Sequence, residues 1–236
     1  MTKIRCISSV FGSKRIDNIA QAEKFGKSAE FVRERIGATE IRENLEHENV
    51  LTQAEKAARY VIAKAKVDPS EIGLLIFVTQ NPEFGGLPHN AACLHGTLNL
   101  REECAAFDLG LGCSGYVYAL AIAQSLLAQS GTKTGLIITS DSYRKHLNPD
   151  DYATNLLFGD AATATLLSPD GELEFGPFEL YTNGTKSSAL ERKEGKIMMN
   201  GREVFNFSRR SVPVAIDSFL GKHRIEKGTV DRFFLH

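Results

Sequence analysis

Apolar positions along this chain come in two textures that alternate. Residues 4–10, 74–79, 105–109, 135–139 and 162–167 form short, β-branched-rich apolar runs, the pattern of strands, and the most continuous of them suit strands covered on both faces. Between them, residues 52–65 place Ala54, Ala57, Ala58, Val61, Ile62 and Ala65 at helical spacing. Thr52 stands as an N-cap there, with Glu55 completing a capping box. A second helical pattern covers residues 114–129. Strand, helix, strand, helix, strand in this order predicts an α/β fold around a mainly parallel sheet.

The texture changes near residue 168. Ser168-Pro169-Asp170-Gly171 is a turn signal, and residues 183–196 are polar with little periodicity, which predicts a surface loop. Helical spacing returns over residues 204–220, where Pro213 is a candidate kink. A strand is expected from Val230 to the last residue, His236. Phe233, Phe234 and Leu235 need a sheet to enter, so the chain is expected to be incomplete. The division this predicts is 1–168 for a first domain and 169–236 for the start of a second.

Composition narrows the function classes. Of 236 residues, 42% are apolar and 24% charged, the balance of an ordinary globular chain. A net charge of -1 leaves no basic field for a nucleic-acid backbone. No segment approaches the ~20 apolar residues of a membrane helix, and residues 1–15 are too polar for a signal-peptide core, so a cytoplasmic protein is expected. Cys6, Cys93, Cys104 and Cys113 are irregularly spaced, which predicts reduced thiols rather than a disulfide framework. The six histidines do not cluster with them, so no metal site is expected.

The densest chemical signal is FDLGLGCSG, residues 107–115, where a strand runs through small residues into a long helix. That puts Cys113 at a helix N-terminus, where unpaired N–H groups and the helix dipole favour a thiolate. Flanking glycines let a substrate approach the backbone, and the Cys113 N–H is placed to help hold a thioester oxyanion. Spacing alone favours the plainer reading, since a lone cysteine is more often a small buried hydrophobe.

FDLGLGCSGYVYAL resembles the nucleophile segment of the β-ketoacyl-acyl carrier protein synthase III family, within the thiolase-like superfamily. Other segments agree in order. Arg33-Glu34-Arg35-Ile36-Gly37 is similar to the family's early R-x-G-I segment, and Ile137-Ile138-Thr139-Ser140-Asp141 to the strand after the nucleophile helix. Phe158-Gly159-Asp160-Ala161-Ala162 resembles its F-G-D-G-A turn, with Ala161 in place of the commoner Gly. Asn200-Gly201-Arg202-Glu203-Val204-Phe205 resembles its G-x-E-V-F helix start, and Phe234-Leu235-His236 the opening of its H-Q-A-N motif.

The resemblance implies a duplicated thiolase-like fold, layered α/β/α/β/α with mixed sheets and usually a homodimer. It implies a decarboxylative condensation of an acyl thioester with a malonyl thioester. Cys113 would be the acylated nucleophile and His236 the histidine assisting decarboxylation, while the family's Asn would lie beyond residue 236. Acyl transfer to an oxygen or nitrogen acceptor, or a non-catalytic partner subunit, are the alternatives. No cofactor is implied, since coenzyme A or acyl carrier protein thioesters are the substrates. Phe31 and Tyr152 stand where well-known members clamp an adenine between Trp and Arg, so the aromatic face is kept and the cation is not. Arg35 and Leu87 are the remaining substrate-site positions, Leu87 where members place a residue closing the partner's acyl pocket. An acidic carrier protein would be steered by basic residues. Arg202, Arg209 and Arg210, with Lys222 and Arg224 nearby, are the candidates.

Overall fold

The computed structural model describes residues 2–235. They form two compact units, Met1–Lys145 with Leu156–Gly176, and His146–Asn155 with Pro177–His236. In the first unit the chain runs β1 (Lys3–Phe11), β2 (Lys14–Asp17), α1 (Asn18–Glu23), α2 (Ala29–Phe31), β3 (Glu40–Glu43) and α3 (Val50–Ala65). It continues through β4 (Ile72–Val78), α4 (Asn90–Thr97), β5 (Ala105–Leu109), α5 (Gly115–Gln129) and β6 (Thr134–Ser142). After α6 (Tyr152–Asn155), which belongs to the second unit, β7 (Asp160–Ser168) and β8 (Leu173–Glu174) complete the first. The turn after Ser168 returns the chain to the sheet edge, so this unit extends to Gly176.

The sheet is mixed, in the order β5-β4-β6-β7-β1-β8. Its β5-β4-β6 half is parallel, and the β6-β7-β1-β8 half is antiparallel. Every residue of β4 is buried, because a central strand with helices over both faces has no solvent side. One face receives Val50, Ala54, Ala57, Ala58 and Val61 of α3 against Leu75, Phe77, Leu136, Ile138 and Leu166. Small residues on α3 let the helix lie close to the strands, which is why alanine dominates its buried stripe. Toward the other face lies α5, whose Leu127 touches the strand at Gly135.

The cap of α3 differs from the sequence expectation. Asn49, not Thr52, is the N-cap: Thr52 N–H donates to Asn49 Oδ1 at 2.9 Å, and Asn49 N–H donates to Thr52 Oγ1 at 2.9 Å. Thr52 is the distal member of the box, and Glu55 instead pairs with Arg59 one turn on, at 2.7 Å. Asn ranks at least as high as Thr at an N-cap, so a competing cap one turn earlier wins.

In the second unit, residues 183–196 are not a plain loop. A 3-10 turn (Gly184–Ala189) leads into β9 (Leu190–Lys193), which pairs with β10 (Lys196–Met199). Glu194 and Gly195 both have positive φ, the type of two-residue turn that joins antiparallel strands with the right twist. The mostly exposed strands have no alternating apolar face, which is why periodicity does not reveal them. Helix α7 (Gly201–Lys222) runs through Pro213 without ending there. The expected strand from Val230 is not formed: residues 230–235 pair with no strand among the described residues, and Phe234 and Leu235 are exposed. An apolar run becomes a strand only when a sheet edge accepts its hydrogen bonds.

Candidate active site

The nucleophile segment begins on β5. Asp108 turns its carboxylate onto the start of α4, accepting from Asn90 N–H at 2.8 Å, Asn90 Nδ2 at 3.0 Å and Ala91 N–H at 2.7 Å. The strand is thereby anchored just before the glycine turn. Gly115 N–H donates to Gly112 O at 2.8 Å, closing a turn that carries Cys113 and Ser114 ahead of the first residue of α5.

Two of the glycines sit in close quarters, Gly115 against packed side chains and Gly112 against the movable end of Gln80. A Cβ at Gly112 would come within 2.3 Å of Gln80 Oε1, and one at Gly115 within 2.5 Å of Val78 Cγ1. The turn is thus pressed against the end of β4 on both sides of Cys113. Cys113 itself is exposed, whereas Cys104 is buried and Cys6 and Cys93 partly so. The Cys113 N–H pairs with no group among the described residues, so it remains a donor for a substrate oxygen. At the second residue of α5, Tyr116 bonds Thr165 at 3.1 Å, and burial pushes its hydroxyl pKa up.

The floor beside this turn was not singled out by sequence reasoning. Asp141 on β6 accepts at one oxygen, Oδ1, from Thr79 Oγ1 (2.9 Å), Gln80 N–H (2.9 Å), Asn81 N–H (3.0 Å) and Asn81 Nδ2 (2.7 Å). Burial raises its pKa, and these four donors only partly offset that. Asp160, in the Phe-Gly-Asp turn, takes Asn44 N–H and Arg144 N–H at 2.9 Å each and is likewise raised by burial. Both acids tie loops to strand ends, and the sequence signal for them was their place in family-like segments.

The other expected positions are spread over the two units. Phe31 packs on the Ala22, Val32 and Leu156 cluster, with Lys27 Nζ 5.4 Å from its ring centroid, so a cation does stand over that aromatic face. Arg35 lies in the π-helical turn Val32–Ile36 that Gly37 ends with a positive φ. Leu87 is 86% exposed, at the end of a loop whose Phe84 is 66% exposed. Glu83 of that loop accepts from Val50 N–H and Lys145 Nζ, both at 3.2 Å, which commits it to capping α3. Tyr152 begins α6 in the second unit. Arg202, Arg209 and Arg210 are exposed on α7, while Lys222 is bound to Glu179 at 2.7 Å. Arg210 and Phe207 border a groove of about 510 Å³ lined also by Lys186, Leu190 and Val204. His236 lies outside the described residues.

Comparison with known proteins resolves the ancestry. A sequence model of 3-oxoacyl-[acyl-carrier-protein] synthase III matches residues 107–184. The β-ketoacyl-[acyl-carrier-protein] synthase III of Actinobacillus succinogenes is 31% identical over 231 residues, covering 94% of this chain and 72% of that protein. The chain belongs to the β-ketoacyl-[acyl-carrier-protein] synthase III family. The synthase III of Streptococcus thermophilus is 32% identical over 223 residues, with 89% of this chain and 68% of that one covered. A crystal structure of a 3-oxoacyl-(acyl-carrier-protein) synthase III superposes with a TM-score of 0.91 at 30% identity, over 98% of this chain and 76% of the other. The Aquifex aeolicus synthase III structure gives 0.84 at 27%, over 98% and 74%. The mixed α/β fold described above is therefore that of synthase III enzymes, and the chain is a condensing enzyme of the acyltransferase class.

Proposed function

We propose that Cys113 is the residue that carries the acyl group. The Cys113 thiolate attacks the carbonyl carbon of an acyl thioester, and the tetrahedral oxyanion collapses with loss of the donor's thiolate, leaving an acyl-S-Cys113 thioester. A malonyl thioester then loses carbon dioxide, the resulting enolate carbon attacks the acyl carbonyl, and the Cys113 thiolate leaves with its electron pair. The product is a β-ketoacyl thioester two carbons longer than the acyl group.

The observation that carries this reading is the exposed Cys113 on a turn with an unpaired N–H, pinned by close contacts at Gly112 and Gly115. His236 as the group that assists decarboxylation rests on the resemblance alone. Phe31 and Arg35 are proposed to meet the donor's coenzyme A or carrier arm, and the cation of Lys27 restores at Phe31 a charge suited to phosphate; a substrate role for Tyr152, in the second unit, rests on the resemblance alone. Arg202, Arg209 and Arg210 are proposed as the landing for an acidic acyl carrier protein, favoured by their exposure on one helix and by the groove that Arg210 borders. The exposed Phe84 and Leu87 suit burial against a second copy of the chain. A cytoplasmic location is proposed with them: among the described residues no helix is long and apolar enough to cross a membrane.

Intact-protein mass spectrometry of the native protein and Cys113→Ala, after incubation with acyl-coenzyme A and acyl-carrier thioesters, tests this. The expected result is a mass gain equal to the acyl group that the variant lacks. No gain with any donor overturns the assignment. Release of carbon dioxide from malonyl thioester then distinguishes condensation from transfer to an oxygen or nitrogen acceptor.

A further inference from the structure

Gln80 leaves the end of β4 and meets the nucleophile turn from below. Its backbone N–H is fixed by Asp141 Oδ1 at 2.9 Å. Its side-chain oxygen accepts the Tyr143 hydroxyl at 2.7 Å, and the Tyr143 ring stacks on Phe158 with centroids 4.9 Å apart and planes inclined by 26°. The same oxygen leads the amide against Gly112: a Cβ there would be 2.3 Å from Gln80 Oε1, 2.8 Å from Cδ and 3.4 Å from Nε2. The carboxamide thus touches the residue immediately before Cys113.

We propose that Gln80, held by Tyr143, is a positioning residue for Cys113 acylation. The inference rests on Cys113 being the acylated nucleophile. Gln80 is exposed and adds nothing to the core, so left alone its side chain would sample several rotamers. The Tyr143 hydroxyl selects the one that presses on Gly112, and the stack on Phe158 fixes the hydroxyl. The Gly112–Cys113 peptide carries both the N–H available for an oxyanion and the start of the Cys113 side chain. Small displacements of such a peptide cost rate strongly, because the attacking sulfur and the oxyanion donor must meet one carbonyl group together. Tyr143 reaches the turn through its bond to Gln80, and Phe158 through its stack on Tyr143.

The test is the single-turnover rate of Cys113 acylation by mass spectrometry, using the member of a short- and medium-chain acyl-coenzyme A panel that loads the native protein fastest. Tyr143→Phe removes the hydroxyl and keeps the ring. It is expected to slow acylation about fivefold, with the half-saturating thioester concentration unchanged. Gln80→Met keeps the length and loses the acceptor, and about a tenfold loss is expected. The double variant should be no slower than Gln80→Met alone, a coupling that a general loss of stability would not produce. Additive losses, or native rates in all three variants, overturn the role of Gln80. Absence of loading in the native protein, or loading that persists in Cys113→Ala, instead overturns the assignment of Cys113 and the inference with it.

Discussion

The side chain of Asn81 donates to Asp141 at 2.7 Å, and three further donors from Thr79, Gln80 and Asn81 converge on the same carboxylate oxygen. One part-buried acceptor therefore ties down residues 79–81, where the chain leaves β4. Asp141→Ala removes the acceptor these donors share, leaving Asn81 N–H only its second partner, Thr79 Oγ1 at 3.0 Å. It is expected to cost about 2–4 kcal/mol in a urea unfolding curve, since unsatisfied buried polar groups pay their full desolvation. Asp141→Asn, which keeps an oxygen in place, should lose clearly less.

Glu48 shows the opposite balance of burial against hydrogen bonding. Burial raises its pKa, but Ser13 Oγ, the N–H groups of Leu45 and Ser13, and Lys56 outweigh that and hold it at about 2. A folded-state value below the ordinary carboxylate range contributes stability above the unfolded pKa, which is lost as pH falls through the folded one. Glu48→Gln should therefore be less stable than the native protein at pH 7, by about 2 kcal/mol. That difference should shrink progressively as pH falls from about 4.5 toward 2. Denaturant titrations at a series of pH values measure it.

The two flanking glycines of the nucleophile turn should respond differently to alanine. At Gly115 the new methyl meets Val78 Cγ1 at 2.5 Å and Leu111 Cβ at 3.1 Å, both in packed surroundings, and the expected cost is about 1–3 kcal/mol of stability. At Gly112 it meets only the flexible end of Gln80, so stability should change by less than about 1 kcal/mol while Cys113 acylation slows. Thermal melts alongside acylation rates separate the two effects.

Thiol labelling should rank the cysteines by environment. Cys104 is buried and its pKa is pushed up to about 11 by that burial, with the Arg101 charge offsetting only part. Cys113 is exposed on its turn. Brief treatment with iodoacetamide at pH 8, followed by peptide mapping, should modify Cys113 first and leave Cys104 unmodified until the protein is unfolded.

Local pattern was enough to find the five long strands, the helices α3, α5 and α7, and Cys113 as the candidate nucleophile. Strand and helix periodicities, and a glycine-rich step from one into the other, are properties of neighbouring residues. The resemblance in FDLGLGCSG and the Phe-Gly-Asp turn carried the family. What local pattern could not supply were relations between distant residues. The β9–β10 hairpin formed from mostly exposed strands whose pairing comes from the Glu194-Gly195 turn rather than from an apolar face. The run after Val230 found no edge to join among the described residues. The support beneath Cys113, from Asp141 through Gln80 to Gly112 and from Phe158 through Tyr143, joins segments dozens of residues apart. Its members are ordinary polar residues when read along the chain. They become a device only because the strand order β4-β6-β7 sets their ends side by side, and hydrogen bonds between side chains of that separation exist only once the sheet has formed.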